Sequence, residues 1–214
     1  MSMKLLSILF ASAFILKSMT YAENITSPAD NKILIQQLVE SYQTAVKKKS
    51  GTPIQLSFRD AQIMQELGGF DAEGELVMII YHGILTAPTG TALTTICHEL
   101  GHILGSVPQS SASAGRTTRT DPRDSVEGEA DYFAGGCVRR YHQQLGLSES
   151  VSQQAARTCF QNIYGYTPDE TLAAEQVYPG INGKYPSPEC RLLSTLAGIK
   201  GSPRPKCWYN PAPR

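Results

Sequence analysis

Apolar and polar positions alternate along this chain with periods that change from stretch to stretch. In "SPADNKILIQQLVESYQTAVKKK" the apolar residues Ile33, Ile35, Leu38, Val39, Tyr42 and Val46 recur mostly at helical spacing. Asp30 or Asn31 is placed to cap the start, Lys47, Lys48 and Lys49 suit the negative end of the helix dipole, and Gly51 stops the helix. "PIQLSF" (53–58) alternates Ile54, Leu56 and Phe58 and predicts a half-buried strand. "DAQIMQELGGF" predicts a short helix or irregular turn closed by Gly68 and Gly69. "ELVMIIYHGIL" (75–85) is apolar with a β-branched middle and predicts a second strand, broken by "TAPTG". "TALTTICHELGHIL" then predicts a helix over 91–104.

The second half is helical by the same reading. "GSVPQSSASAGRTTRT" (105–120) has no periodicity and predicts a mobile surface loop. "DPRDSVEGEADYFAGGCVRRYHQQLG" predicts a helix capped by Asp121, with Pro122 in its first turn and Gly146 as its stop; Gly135 and Gly136 weaken its middle. "SESVSQQAARTCFQNIYG" (148–165) predicts another, capped by Ser148 or Ser150. From Tyr166 the chain is proline-rich, with a helical island at "CRLLSTLAG". The order of elements gives an α+β fold: a helix, a small twisted sheet, a further helix and a helical C-terminal half, in a single domain over 30–214.

The N-terminus changes the picture of where the protein works. Lys4 precedes the apolar run "LLSILFASAFIL", and "KSMTYA" ends in the small Ala22, the pattern of a secretory signal peptide over 1–22 cleaved before Glu23. As a helix that run reaches roughly 18 Å, short of a hydrocarbon core about 30 Å thick, so no stable membrane anchor is expected after cleavage. Residues 23–29 form a short linker. A secreted or periplasmic location is the expectation, and an oxidising compartment makes disulfides plausible. The five cysteines are Cys97, Cys137, Cys159, Cys190 and Cys207. Cys97, beside His98 on an apolar helix, is the expected free thiol. The other four allow three pairings, of which Cys137 with Cys159 and Cys190 with Cys207 close the shortest loops. The chain carries 19 basic and 19 acidic residues and no basic run beyond Lys47, Lys48 and Lys49, so nucleic acid is not an expected partner.

The chemistry concentrates in "HELGH". His98 and His102, four apart, share one face of a helix and can aim two imidazoles at one metal, with Glu99 beside them to reach a water. Ile96, Leu100, Ile103 and Leu104 make this helix apolar and therefore buried, where unpaired histidines are costly; a helix with two solvated histidines fits less well. A catalytic zinc site needs a third protein ligand and one open position. Glu127, Glu129, Asp131 and His142 lie downstream. Glu127 is favoured, with Asp131 four residues on to accept a hydrogen bond from the far nitrogen of a ligand histidine, while Glu129 lies roughly opposite. His142, among "RRYHQQ", is expected on a solvated face.

"HELGH" followed 25 residues later by "EGEAD" resembles the gluzincin metallopeptidases, with His-Glu-x-x-His on one helix and Glu-x-x-x-Asp on the next. Within them it is most similar to the CAAX prenyl endopeptidase and HtpX-type family. "YPSPECRLL" matches that family's later segment in spacing at Pro186, Arg191 and Leu192, although Tyr185 stands where the family has His. The resemblance covers roughly 30–200 and lacks the family's spanning helices. It implies a zincin-like core, one zinc per chain held by His98, His102 and Glu127, with Glu99 as general base and acid. It implies zinc-dependent endopeptidase activity on a peptide or protein substrate, by a monomer. Tyr185, Arg191 and His82 are candidate donors to the tetrahedral oxyanion. In gluzincins the strand before the zinc helix is an edge that pairs with extended substrate, which implies substrate binding along Ile80, Tyr81, His82 and Gly83; a buried central strand is the alternative. A metal- or peptide-binding protein without turnover, or an envelope amidase, would carry a similar pattern.

Overall fold

The computed structural model describes residues 27–60, 66–70, 75–105, 127–173, 186–205 and 207, with the side chains of 66–70 and 173 excepted. Residues 1–22, where a signal peptide is expected, 106–120, where a loop is expected, and Asp121, Pro122 and Tyr185 lie outside the described residues.

Helix α1 (Pro28–Ser50) buries Ile35, Leu38, Val39, Tyr42 and Val46 as its periodicity predicts, but Ile33 is 52 % exposed and Leu34 is buried instead. Its cap differs from the expected one. Ser27 is the N-cap: its Oγ accepts from the Asp30 N–H, and the Asp30 carboxylate accepts from the Ser27 N–H, a reciprocal capping box. Asn31 is instead buried, and its Nδ2 donates to Leu85 O (2.8 Å) and Ala87 O (2.9 Å). Gly51 ends the helix with a φ of 89°.

Three strands follow: β1 (Ile54–Arg59), β2 (Glu66–Phe70) and β3 (Leu76–Tyr81), in the order β1-β3-β2. β1 runs parallel to β3, with Ile54 opposite Leu76, and β2 runs antiparallel, with Glu66 opposite Ile80. The expected helix or turn at 66–70 is therefore a strand. Two adjacent glycines discourage a helix as well as a strand, and pairing with β3 decides the outcome. β3 also ends earlier than its apolar run suggests: after Tyr81 the chain enters a short helix, α2 (His82–Thr86). Leu76, Met78 and Ile80 bury one face of β3 completely.

Helix α3 (Thr89–Leu104) runs through the middle of the molecule, with α1, α4 (Glu127–Gln144) and α5 (Glu149–Tyr164) packed around it. Its Leu93, Ile96 and Leu100 are fully buried in a core shared with α1, β3 and α4. Polar contacts fix it at both ends: Asn31 holds the chain just before it, and the Lys49 ammonium donates to Gly105 O just after it. Asn162 of α5 donates to Thr91 Oγ1 (2.7 Å). A short α6 (Glu170–Ala173) precedes α7 (Pro188–Lys200), whose Ser187 cap accepts from the Cys190 N–H. A second, smaller core joins α5 and α7 through Ala156, Phe160, Leu192, Leu196 and Ile199.

Disulfides join Cys97 to Cys137 and Cys190 to Cys207, and the buried Cys159 belongs to neither. The second pair is the one expected. The first corrects the assignment of Cys97 as free: α3 lies against α4, and that contact brings Cys97 and Cys137 to a Cα separation of 5.8 Å. His142 is likewise not solvated. It is 3 % exposed, because α5 folds back over the end of α4 and its Ser152 Oγ meets the ring Nδ1 at 3.0 Å. No helix among the described residues is long and apolar enough to cross a membrane.

Candidate metal centre

The site begins with a close helix crossing. A β-carbon at Gly101 would lie 2.7 Å from both Cα and O of Ala130, so glycine there lets α3 touch the backbone of α4. His98 and His102 flank that contact, one turn apart on α3, with ring centroids 4.6 Å apart and planes at 85°. Glu127, in the first turn of α4, reaches across. One carboxylate oxygen is 3.1 Å from His98 Nε2 and the other 3.6 Å from His102 Nε2. Glu99 joins the group, since its carboxylate and both rings offer ligand atoms within 4.8 Å of one another.

Behind the rings lies a buried charge network. Asp131, one turn after Glu127, sits 2.8 Å from His98 Nδ1. Arg191, from the first turn of α7, donates to Asp131 through Nε (2.8 Å) and Nη2 (3.0 Å). The same Nη2 lies 3.4 Å from Glu127 and 3.5 Å from His98 Nε2, while Nη1 donates to the Tyr164 hydroxyl at 3.3 Å. Glu129 faces away from this cluster and is held by Arg204 at 2.7 Å.

Burial and charge pull in opposite directions here. Burial disfavours the charged form of His98, but the Asp131 and Glu127 carboxylates outweigh it and, without a metal, hold the ring's pKa up at about 10. Burial would raise Glu127, yet His98, His102 and Arg191 bring it down to about 2. Asp131 is likewise lowered: burial is opposed by Arg191 first and His98 second. Burial raises Tyr164, with the Arg191 cation opposing, so the phenol keeps its proton at neutral pH.

The donor set fits a small divalent cation. One Glu127 oxygen lies 3.1 Å from His98 Nε2 and the other 3.6 Å from His102 Nε2, so the carboxylate stands where it can share an ion with both rings. The charges also balance. With neutral rings, the carboxylates of Glu99, Glu127 and Asp131 against the Arg191 guanidinium leave a double negative charge, which one divalent ion neutralises. The group formed by His98, Glu99 and His102 can therefore hold a metal ion.

The remaining candidates from the sequence are placed elsewhere. β3 is hydrogen-bonded on both sides, with Ile80 opposite Phe58 and Glu66 and Tyr81 opposite Arg59, so it is no open edge for a substrate strand. Ile80 is fully buried, and His82 and Gly83 belong to α2, with His82 lying 3.8 Å from Asp60. This corrects the expectation of strand addition along Ile80, Tyr81, His82 and Gly83. Arg191 meets the acidic helix rather than standing free. Tyr164 was not singled out by the sequence. Its position on α5 looks like an ordinary apolar-face tyrosine, and only the packing of α5 on α7 brings the hydroxyl to Arg191. Comparisons with protein-family models, curated proteins and solved structures gave no match.

Proposed function

We propose that the chain is a zinc-dependent endopeptidase acting outside the cytoplasm, with His98, His102 and Glu127 as the metal's protein ligands. The observation that carries this reading is the meeting of two imidazole nitrogens and one carboxylate from neighbouring helices, at ligand-like spacing, with a second carboxylate, Glu99, beside them. Three protein ligands leave a fourth position for solvent or substrate, as catalytic rather than structural zinc sites do. Zinc supplies Lewis-acid chemistry there, acidifying water toward pKa 7 and polarising a carbonyl.

The chain's own residues take the remaining roles. Glu99 accepts a proton from the attacking water and returns it to the leaving amine. Asp131 fixes the His98 ring through Nδ1 and leaves Nε2 with its lone pair toward the metal. Arg191 keeps Asp131 charged and in place. An extended peptide adding to the sheet would use an outer strand, and β2 is the outer strand in contact with α3. The extracytoplasmic location is supported by the two disulfides and by the signal-like start of the sequence.

Metal analysis paired with Glu99→Gln tests the reading. About one zinc per chain is expected in both proteins, and peptidase activity on denatured protein should fall at least about 100-fold in the variant. Retained activity would remove Glu99 from its role. Bound zinc with no cleavage of any protein would favour a metal- or peptide-binding function, and cleavage of non-peptide amides alone would favour the amidase.

A further inference from the structure

We propose that the Tyr164 hydroxyl is the hydrogen-bond donor to the reacting carbonyl oxygen of the substrate; this rests on the peptidase reading above. Of the donors suggested by sequence, Tyr185 lies outside the described residues, His82 lies beside Asp60 on α2, and Arg191 is committed elsewhere. Its Nε and Nη2 both donate to Asp131, and its Nη1 donates to Tyr164.

The direction of that last bond is the deciding observation. A guanidinium only donates, so the phenol oxygen is the acceptor and its own proton must point elsewhere. Among the described residues no hydrogen bond uses that proton. The hydroxyl is one guanidinium away from the ligand set, because the other terminal nitrogen of Arg191 lies 3.4 Å from Glu127 and 3.5 Å from His98 Nε2. Tyr164 is half-buried. Its ring is held between Phe160 and Tyr166, with centroids at 5.8 and 6.3 Å.

The arrangement suits a developing negative charge. A cation behind the phenol oxygen polarises the O–H bond, and the donor is fixed before the reaction begins. Its hydrogen bond strengthens as the carbonyl becomes an oxyanion, so it favours the transition state over the bound substrate.

Tyr164→Phe removes only the hydroxyl. In the zinc-loaded protein, kcat on a peptide substrate should fall about 10- to 1,000-fold, with KM changed less than about threefold and zinc content unchanged. A phosphinic peptide, whose tetrahedral oxygens mimic the oxyanion, should bind more weakly by a similar factor in calorimetry. A variant that keeps the wild-type kcat and phosphinate affinity overturns the inference, as does a loss confined to KM. A zinc-loaded wild type that cleaves no peptide overturns the peptidase reading itself, and this inference falls with it; the two failures are told apart by the wild-type measurement.

Discussion

Asp131 carries two partners on one carboxylate, His98 Nδ1 on one side and the Arg191 fork on the other. His98 is buried and Arg191 largely so, and removing the shared charge leaves the guanidinium with only its longer Glu127 contact and frees the imidazole to turn. Asp131→Asn is expected to weaken zinc binding about 10- to 100-fold in competition with a chelator, since outer partners of ligand histidines have that influence. Glu129→Gln provides the contrast. Two residues away on the same helix, Glu129 is equally buried but is held by Arg204, away from the rings. That variant should lose stability in a urea melt and keep its metal affinity. Equal losses of metal affinity in both would mean that the effect travels through α4 as a whole and not through the imidazole contact. The pairing of Glu127 with Asp131 was legible in the sequence because four residues return to the same side of a helix. The Arg191 contact was not, because nothing local fixes how α7 lies on α4.

Between elements, glycines set the distances that the site needs. Gly101 admits α4 to α3, and Gly135 with Gly198 admits α7 to α4: a β-carbon at Gly135 would meet Thr195 O at 1.9 Å, and one at Gly198 would meet Tyr132 O at 2.0 Å. In the sequence Gly135 and Gly136 are indistinguishable, and both weaken the helix. In the fold they separate, because a β-carbon at Gly136 would find its nearest neighbour, Gly198 O, only at 3.9 Å. Gly136→Ala should therefore be neutral or stabilise by up to about 1 kcal/mol through helix propensity. Gly135→Ala should destabilise by about 1–3 kcal/mol or more, as overpacking against backbone does. Urea midpoints of the two variants check this, and equal midpoints would contradict so close a crossing. The same gap between local pattern and tertiary contact explains the other misread elements. Ser27 and Asp30 form a cap that the pattern shifted to Asp30 or Asn31, and Asn31 is taken up by two carbonyls some 55 residues away. Strand β2 exists because β3 pairs with it.

At the scale of the whole molecule, periodicity sufficed where one face of an element meets one core, as in α1 and β1. It failed at His142, whose polar neighbours suggested water while α5 covers the ring. That burial makes the stability of the fold depend on pH. Burial lowers the pKa of His142 from the ordinary 6.5 to about 4, so the folded chain resists a proton that the unfolded chain accepts. The contribution is fully present above pH 6.5 and is lost as the pH falls through about 4. At 1.36 kcal/mol per pKa unit, the folded state should lose about 3 kcal/mol over that window from this residue alone. Carboxylates also titrate near the lower end, so His142→Gln isolates the effect: it keeps a polar group opposite Ser152 and has no proton to gain. With a chelator present throughout, so that metal loss plays no part, urea midpoints of the wild type should fall more steeply than those of His142→Gln between pH 7 and pH 4. Parallel curves would mean that the ring is already protonated, or solvated, in the folded protein.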